Sequence, residues 1–127
     1  KQILIYPSVD YSMSSPSIEE NGNGFLLEVS KVHWYFDKYF QHNEPRQKVS
    51  PLFMPMDANM PETLIFTAGC DPLRDEGLAY GKALTELGVK VEQHSFDGMV
   101  HAYMLLDSLV AAECEQTYQK IGEFIRK

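Results

Sequence analysis

Two ionisable residues stand where chemistry could gather. Asp71 follows the apolar run Thr63-Leu64-Ile65-Phe66-Thr67 within a few residues, and His101 follows the run from Val89 to Phe96 in the same way. A carboxylate that orients an imidazole, and an imidazole that takes a proton and later returns it, are what acyl transfer by a side-chain nucleophile requires. Each residue also has an ordinary explanation. Asp71 before Pro72 fits a helix N-cap with proline at the first helical position, and His101 fits a loop histidine satisfied by backbone. Taken jointly, at the ends of successive strands, the acid–base reading is the stronger one.

The elements that must position them follow from the hydrophobic pattern. Ile3-Leu4-Ile5-Tyr6, closed by Pro7, reads as a strand buried on both faces, as in a parallel sheet. Residues 8–23 are rich in Ser, Pro, Asn and Gly and read as a loop. Phe25, Val29, Val32, Phe36 and Tyr39 then step by four and three, one face of an amphipathic helix. Its aromatic surplus, Trp34, Tyr35 and Phe40 included, suits either plain packing or the wall of a pocket. Prolines at 45, 51, 55 and 61 keep the next stretch irregular. After the second strand, Tyr80, Leu84 and Leu87 mark a helix closed by Gly88. After the third, Phe96 to His101 reads as a turn. Leu106, Val110, Cys114, Tyr118, Ile121 and Ile125 define a last helix. Strands alternating with helices argue for an α/β fold with about three parallel strands. In such a sheet functional groups collect at the carboxyl ends of the strands, so Asp71 and His101 are expected at one edge.

Composition narrows the partners. Apolar residues make up 44% of the 127 and the net charge is −7, with no basic cluster. That is globular composition, unsuited to nucleic acid or an anionic membrane surface. No apolar run reaches membrane-spanning length, and no signal peptide is visible. Cys70 and Cys114 have no metal-type spacing, which suits a reducing, cytoplasmic setting. His33, His42 and His94 lack carboxylate or thiol partners at ligand spacing, so no metal site is expected.

The segment from Thr67 to Gly77, with Asp71-Pro72-Leu73-Arg74-Asp75-Glu76 at its centre, resembles the acid motif of the hormone-sensitive-lipase-like esterases. Phe96-Asp97-Gly98-Met99-Val100-His101-Ala102-Tyr103 resembles that family's histidine motif, usually Gly-Met-x-His-Gly-Phe, and Ala102-Tyr103 departs from it mildly. Ile5-Tyr6-Pro7 and Ser50-Pro51-Leu52 match further stretches. The resemblance covers essentially the whole chain and implies the C-terminal half of an α/β hydrolase. It implies Asp71 as triad acid, His101 as general base, and a small carboxylic ester, of short to medium acyl chain, as substrate of the intact enzyme. Asp75 and Glu76 are expected to open the helix at its positive end.

The family's nucleophile lies in Gly-x-Ser-x-Gly and its oxyanion donors in a glycine-rich loop. No serine here has those flanking glycines. The expectation is a single partial domain over residues 1–127, with 8–61 as a loop-and-helix excursion and the N-terminal half missing. Such a chain is inactive alone, because nothing is placed to attack and no donors await the oxyanion. The alternatives are a silent α/β module that self-associates through its first strand or a receptor of the same fold.

Overall fold

A computed structural model describes all 127 residues, Lys1 to Lys127. Three parallel strands carry the chain: β1 (Gln2–Ile5), β2 (Thr63–Cys70) and β3 (Val91–Val100), side by side in that order. Between them lie α1 (Ser17–Glu20), α2 (Val29–Tyr39) and α3 (Arg74–Glu86), and α4 (Ala111–Arg126) closes the chain. Short 3-10 turns at Pro51–Phe53 and Tyr103–Leu106 complete it.

β2 is central, and its period-two alternation splits the core into two layers. Ile65 packs with Tyr80 and Leu84 of α3 and with Val9 and Val89. Leu64 and Phe66, on the opposite face, pack against Phe124 of α4. All three side chains are fully buried, and each stabilises by about 1.5–3 kcal/mol relative to exposure. β1 follows the same alternation, with Leu4 toward the α3 layer and Ile3 and Ile5 toward α4. It is only half-buried, because β2 is its single strand partner. The expected burial on both faces is therefore not met.

Several elements depart from the sequence reading. Residues 8–23 are no featureless loop: they contain α1 and the buried polar residues Asp10, Ser17 and Asn21. α2 buries Val32 and Phe36, but Tyr39, the last of the expected stripe, is 74% exposed. In α4 the buried face is Cys114, Thr117 and Phe124, whereas Tyr118 and Ile125 lie outside. The four-residue steps used to place them gain about 40° per step on a 3.6-residue helix, so the stripe walks off the core face. Gly88 does follow α3 in the left-handed region, at φ +83°, which glycine adopts without strain. Phe96 to His101 forms no turn, because β3 runs on to Val100.

Candidate active site

The length of β3 decides the register at the carboxyl edge of the sheet. Ala68 pairs with Phe96, and Cys70 next pairs with Val100. Carried on unbroken, the first register would set Asp71 against Met99. Instead β3 inserts extra residues opposite Gly69, a bulge that brings Val100 level with Cys70 and His101 level with Asp71. Gly69 permits this, since a Cβ there would lie 2.1 Å from the Asp97 carbonyl oxygen. The half-buried Cys70 thiol donates to the same oxygen at 3.8 Å.

The structure brings the two site residues together. His101 Nδ1–H donates to Asp71 Oδ2 at 2.8 Å, while Asp71 Oδ1 accepts from the Leu73 backbone N–H at 2.9 Å. Asp71 thus makes the local turn that a capping residue makes and still has an oxygen for the imidazole. The Asp71 side chain is 1% exposed and that of His101 21%, so the carboxylate is sealed and the imidazole is open. With Nδ1 engaged, Nε2 is the imidazole nitrogen free to exchange a proton.

His101 opens on a pocket of about 430 Å³. Its other walls are largely apolar: Ile5 and Tyr6 from the end of β1, Leu73, and Val32, Tyr35 and Phe36 from α2. Part of the exposed aromatic flank of α2 is in this way explained: Tyr35, 56% exposed, lines the cavity, whereas Trp34 and Tyr39 do not.

Residues that sequence reasoning passed over hold this edge in place. Ser17 Oγ donates to the Pro72 carbonyl at 2.7 Å, and its backbone N–H donates to Asp75 Oδ2 at 2.9 Å. Asn21 Nδ2 donates to the carbonyl oxygens of Gly69 and Asp71. Arg74 donates to Gly69, Asp75 and Glu20. The polar loop before α2 therefore ties down the turn that carries Asp71. Asp75 and Glu76 lie in the first turn of α3 as expected, and Glu76 is in addition fully buried there. Its Oε1 accepts from the backbone N–H groups of Val9 and Asp10, at 2.6 and 3.0 Å. Burial pushes its carboxyl up to about 7, against the lowering effect of those hydrogen bonds. Asp10 is stapled by Ser12 and Ser14, whose backbone and hydroxyl groups all donate to it, and its carboxyl is lowered accordingly. Only partners more than 50 residues away reveal most of these roles, and no local pattern announces them.

Parallel strands between helix layers, with a hydrogen-bonded Asp–His pair at their carboxyl edge, define an α/β-hydrolase type of architecture. The chain belongs to the α/β-hydrolase fold family, whose model matches residues 1–105, in its hormone-sensitive-lipase-like branch. Among its relatives is an ethyl acetate hydrolase of Pseudomonas putida, 34% identical over 86% of this chain. The esterase LipI of Mycobacterium tuberculosis is 37% identical over 91% of it. A hyperthermophilic esterase from the archaeon Pyrobaculum calidifontis superposes with a TM-score of 0.85 at 29% identity, over 94% of this chain and 41% of its own. The chain spans 35% and 37% of the length of the two curated relatives, little more than a third. No helix is long and apolar enough to cross a membrane.

Proposed function

We propose that Asp71 and His101 are the acid and general base of a serine carboxylic-ester hydrolase. The observation that carries this is the 2.8 Å Asp71–His101 hydrogen bond at the ends of adjacent parallel strands, beside a largely apolar pocket. In the reaction His101 Nε2 takes the proton of an attacking serine hydroxyl as it adds to the ester carbonyl. The imidazolium, steadied by Asp71, gives that proton to the departing alkoxide. Water then repeats the sequence on the acyl-enzyme. Neither a metal nor an organic cofactor is needed for these steps. The largely apolar lining suits a small ester with a short to medium acyl chain.

Residues 1–127 act in this reading as one partial hydrolase domain, with residues 8–61 supplying the α2 pocket wall. The nucleophile and oxyanion donors belong to polypeptide outside this sequence, since no Gly-x-Ser-x-Gly occurs within it. The two free cysteines suit a reducing compartment such as the cytoplasm. The test is p-nitrophenyl acetate hydrolysis by two proteins. The 127-residue chain alone should show no turnover that His101→Ala removes. The same chain fused behind the N-terminal part of the Pseudomonas putida relative should turn over, and His101→Ala should abolish it. A fused, folded protein indifferent to His101→Ala would sink the proposal.

A second reading concerns the chain by itself. β1 has a strand partner on one side only, and an unpaired edge is a template for another strand. Two copies pairing through residues 2–5 would form a homodimer. Light scattering at high concentration tests this, and a monodisperse monomer would rule it out.

A further inference from the structure

Tyr6 is the third group at the carboxyl edge, one residue past β1, and its backbone is unusual. Its N–H still donates to the Phe66 carbonyl at 2.7 Å, so the ladder holds up to this point. There φ turns to +41°, the left-handed region, in a bulky residue that precedes a proline. Such a conformation is unfavourable for a side chain of this size, and it persists where the surroundings require it. The alternation along β1 shows what it achieves. Ile3 and Ile5 face the α4 layer and Leu4 faces α3, so an extended residue 6 would face α3 as well. The left-handed turn swings the Tyr6 ring to the opposite side, onto the cluster of Ala68, Tyr103 and Cys114. There it lies 4.8 Å from the His101 ring, tilted by 59°, with Tyr103 behind it at 5.7 Å. Tyr103 is itself anchored, fully buried with its hydroxyl 2.7 Å from Thr117 Oγ1.

We propose that Tyr6 is a positioning residue for the base: its ring, backed by Tyr103, holds the plane of the His101 imidazole that Asp71 fixes at one nitrogen. A single hydrogen bond at Nδ1 leaves the ring free to turn about that contact, and Nε2 turns with it. The Tyr6 ring, packed at 4.8 Å and tilted by 59° to the imidazole, blocks that rotation and keeps Nε2 directed into the pocket. The use of this positioning in proton transfer rests on the hydrolase reading above. The contact itself does not.

The test is NMR of the 127-residue chain, which needs no turnover. The wild-type chain should show cross-relaxation between the Tyr6 and His101 rings and upfield ring-current shifts of the His101 carbon-bound protons. Tyr6→Phe should keep both, because the ring and not the hydroxyl acts. Tyr6→Leu should lose the upfield shifts entirely while the Nδ1–H resonance bonded to Asp71 survives, a loss of plane without loss of the pair. Unchanged His101 signals in Tyr6→Leu, or a Tyr6→Phe variant as perturbed as Tyr6→Leu, would overturn the proposal. Should Tyr6→Leu fail to fold, the wild-type cross-relaxation decides, and its absence is fatal. An inactive fusion protein with these signals intact would count against the hydrolase reading alone.

Discussion

His101 reaches Asp71, Nδ1 to Oδ2 at 2.8 Å, because β3 carries a bulge that β2 lacks. The pair is thus a consequence of strand register as much as of residue type. Gly69 is the hinge of this arrangement, and replacing it tests the register directly. A Cβ at this position would meet the Asp97 backbone well inside contact distance, and backbone cannot step aside as a flexible side chain can. Gly69→Ala should destabilise by about 1–3 kcal/mol, read as a lower urea midpoint, and should weaken the Asp71–His101 hydrogen bond. A variant with an unchanged midpoint would show that the bulge yields freely.

Glu76 gives the chain a pH-dependent stability. Its carboxyl is near 7 when folded and 4.5 as the free group, so the folded state holds this proton more tightly than the unfolded one. The contribution is complete below about pH 4.5, falls as pH rises toward 7, and is absent above that. The shift corresponds to a difference of up to about 3 kcal/mol, an upper figure for a buried group. Glu76→Gln keeps an oxygen for Val9 and Asp10 and removes the titration. Denaturation of both proteins at pH 5 and pH 8 should show the wild-type chain losing stability relative to the variant as pH rises. Parallel behaviour of the two would mean that Glu76 titrates as an exposed carboxyl does.

Ala102 and Tyr103 stand where the esterase motif usually has Gly-Phe, and the fold accommodates both changes. Tyr103 is buried with its phenol pushed up to about 12 by desolvation, and Thr117 satisfies its hydroxyl. Thr117→Val should cost about 1–3 kcal/mol by stranding that hydroxyl, seen as a lower Tm. A Tm equal to wild type would show that the Tyr103 hydroxyl has another partner.

Ala102 has φ +60°, a region that favours glycine. Ala102→Gly should relieve the left-handed strain, offset in part by the entropy of the freer unfolded chain. The net effect is a stabilisation of roughly 0.5 kcal/mol, a rise of a few degrees in Tm. A fall in Tm would mean that the methyl group packs better than its backbone suffers.

What could be read from the sequence divides along physical lines. The apolar run at 63–67 and the alternating helices imply a parallel sheet, because burial on both faces leaves no polar positions to alternate. Asp71 stands out through its place between that run and a helix. The bulge does not, because Asp97-Gly98 looks like a turn and strand register depends on a partner far along the chain. Ser17, Asn21 and Glu76 are invisible for a related reason: their hydrogen bonds join segments roughly 50 to 70 residues apart, and polar residues without periodicity resemble solvated loop. Cys114 and Thr117 share the buried face of α4 although Thr117 is polar, so a stripe drawn through apolar residues alone chose Tyr118 instead.

The most direct test of the central claim is Asp71→Asn in the fused ester hydrolase, measured as kcat/KM on p-nitrophenyl acetate. Asparagine preserves the shape of the turn and its contact with Leu73, but it cannot hold the imidazole with Nδ1–H as donor and Nε2 free as base. The acid–base pair predicts a fall on the order of 10³–10⁴-fold with the fold intact. A variant within tenfold of wild type would show that Asp71 does not serve His101 in the reaction.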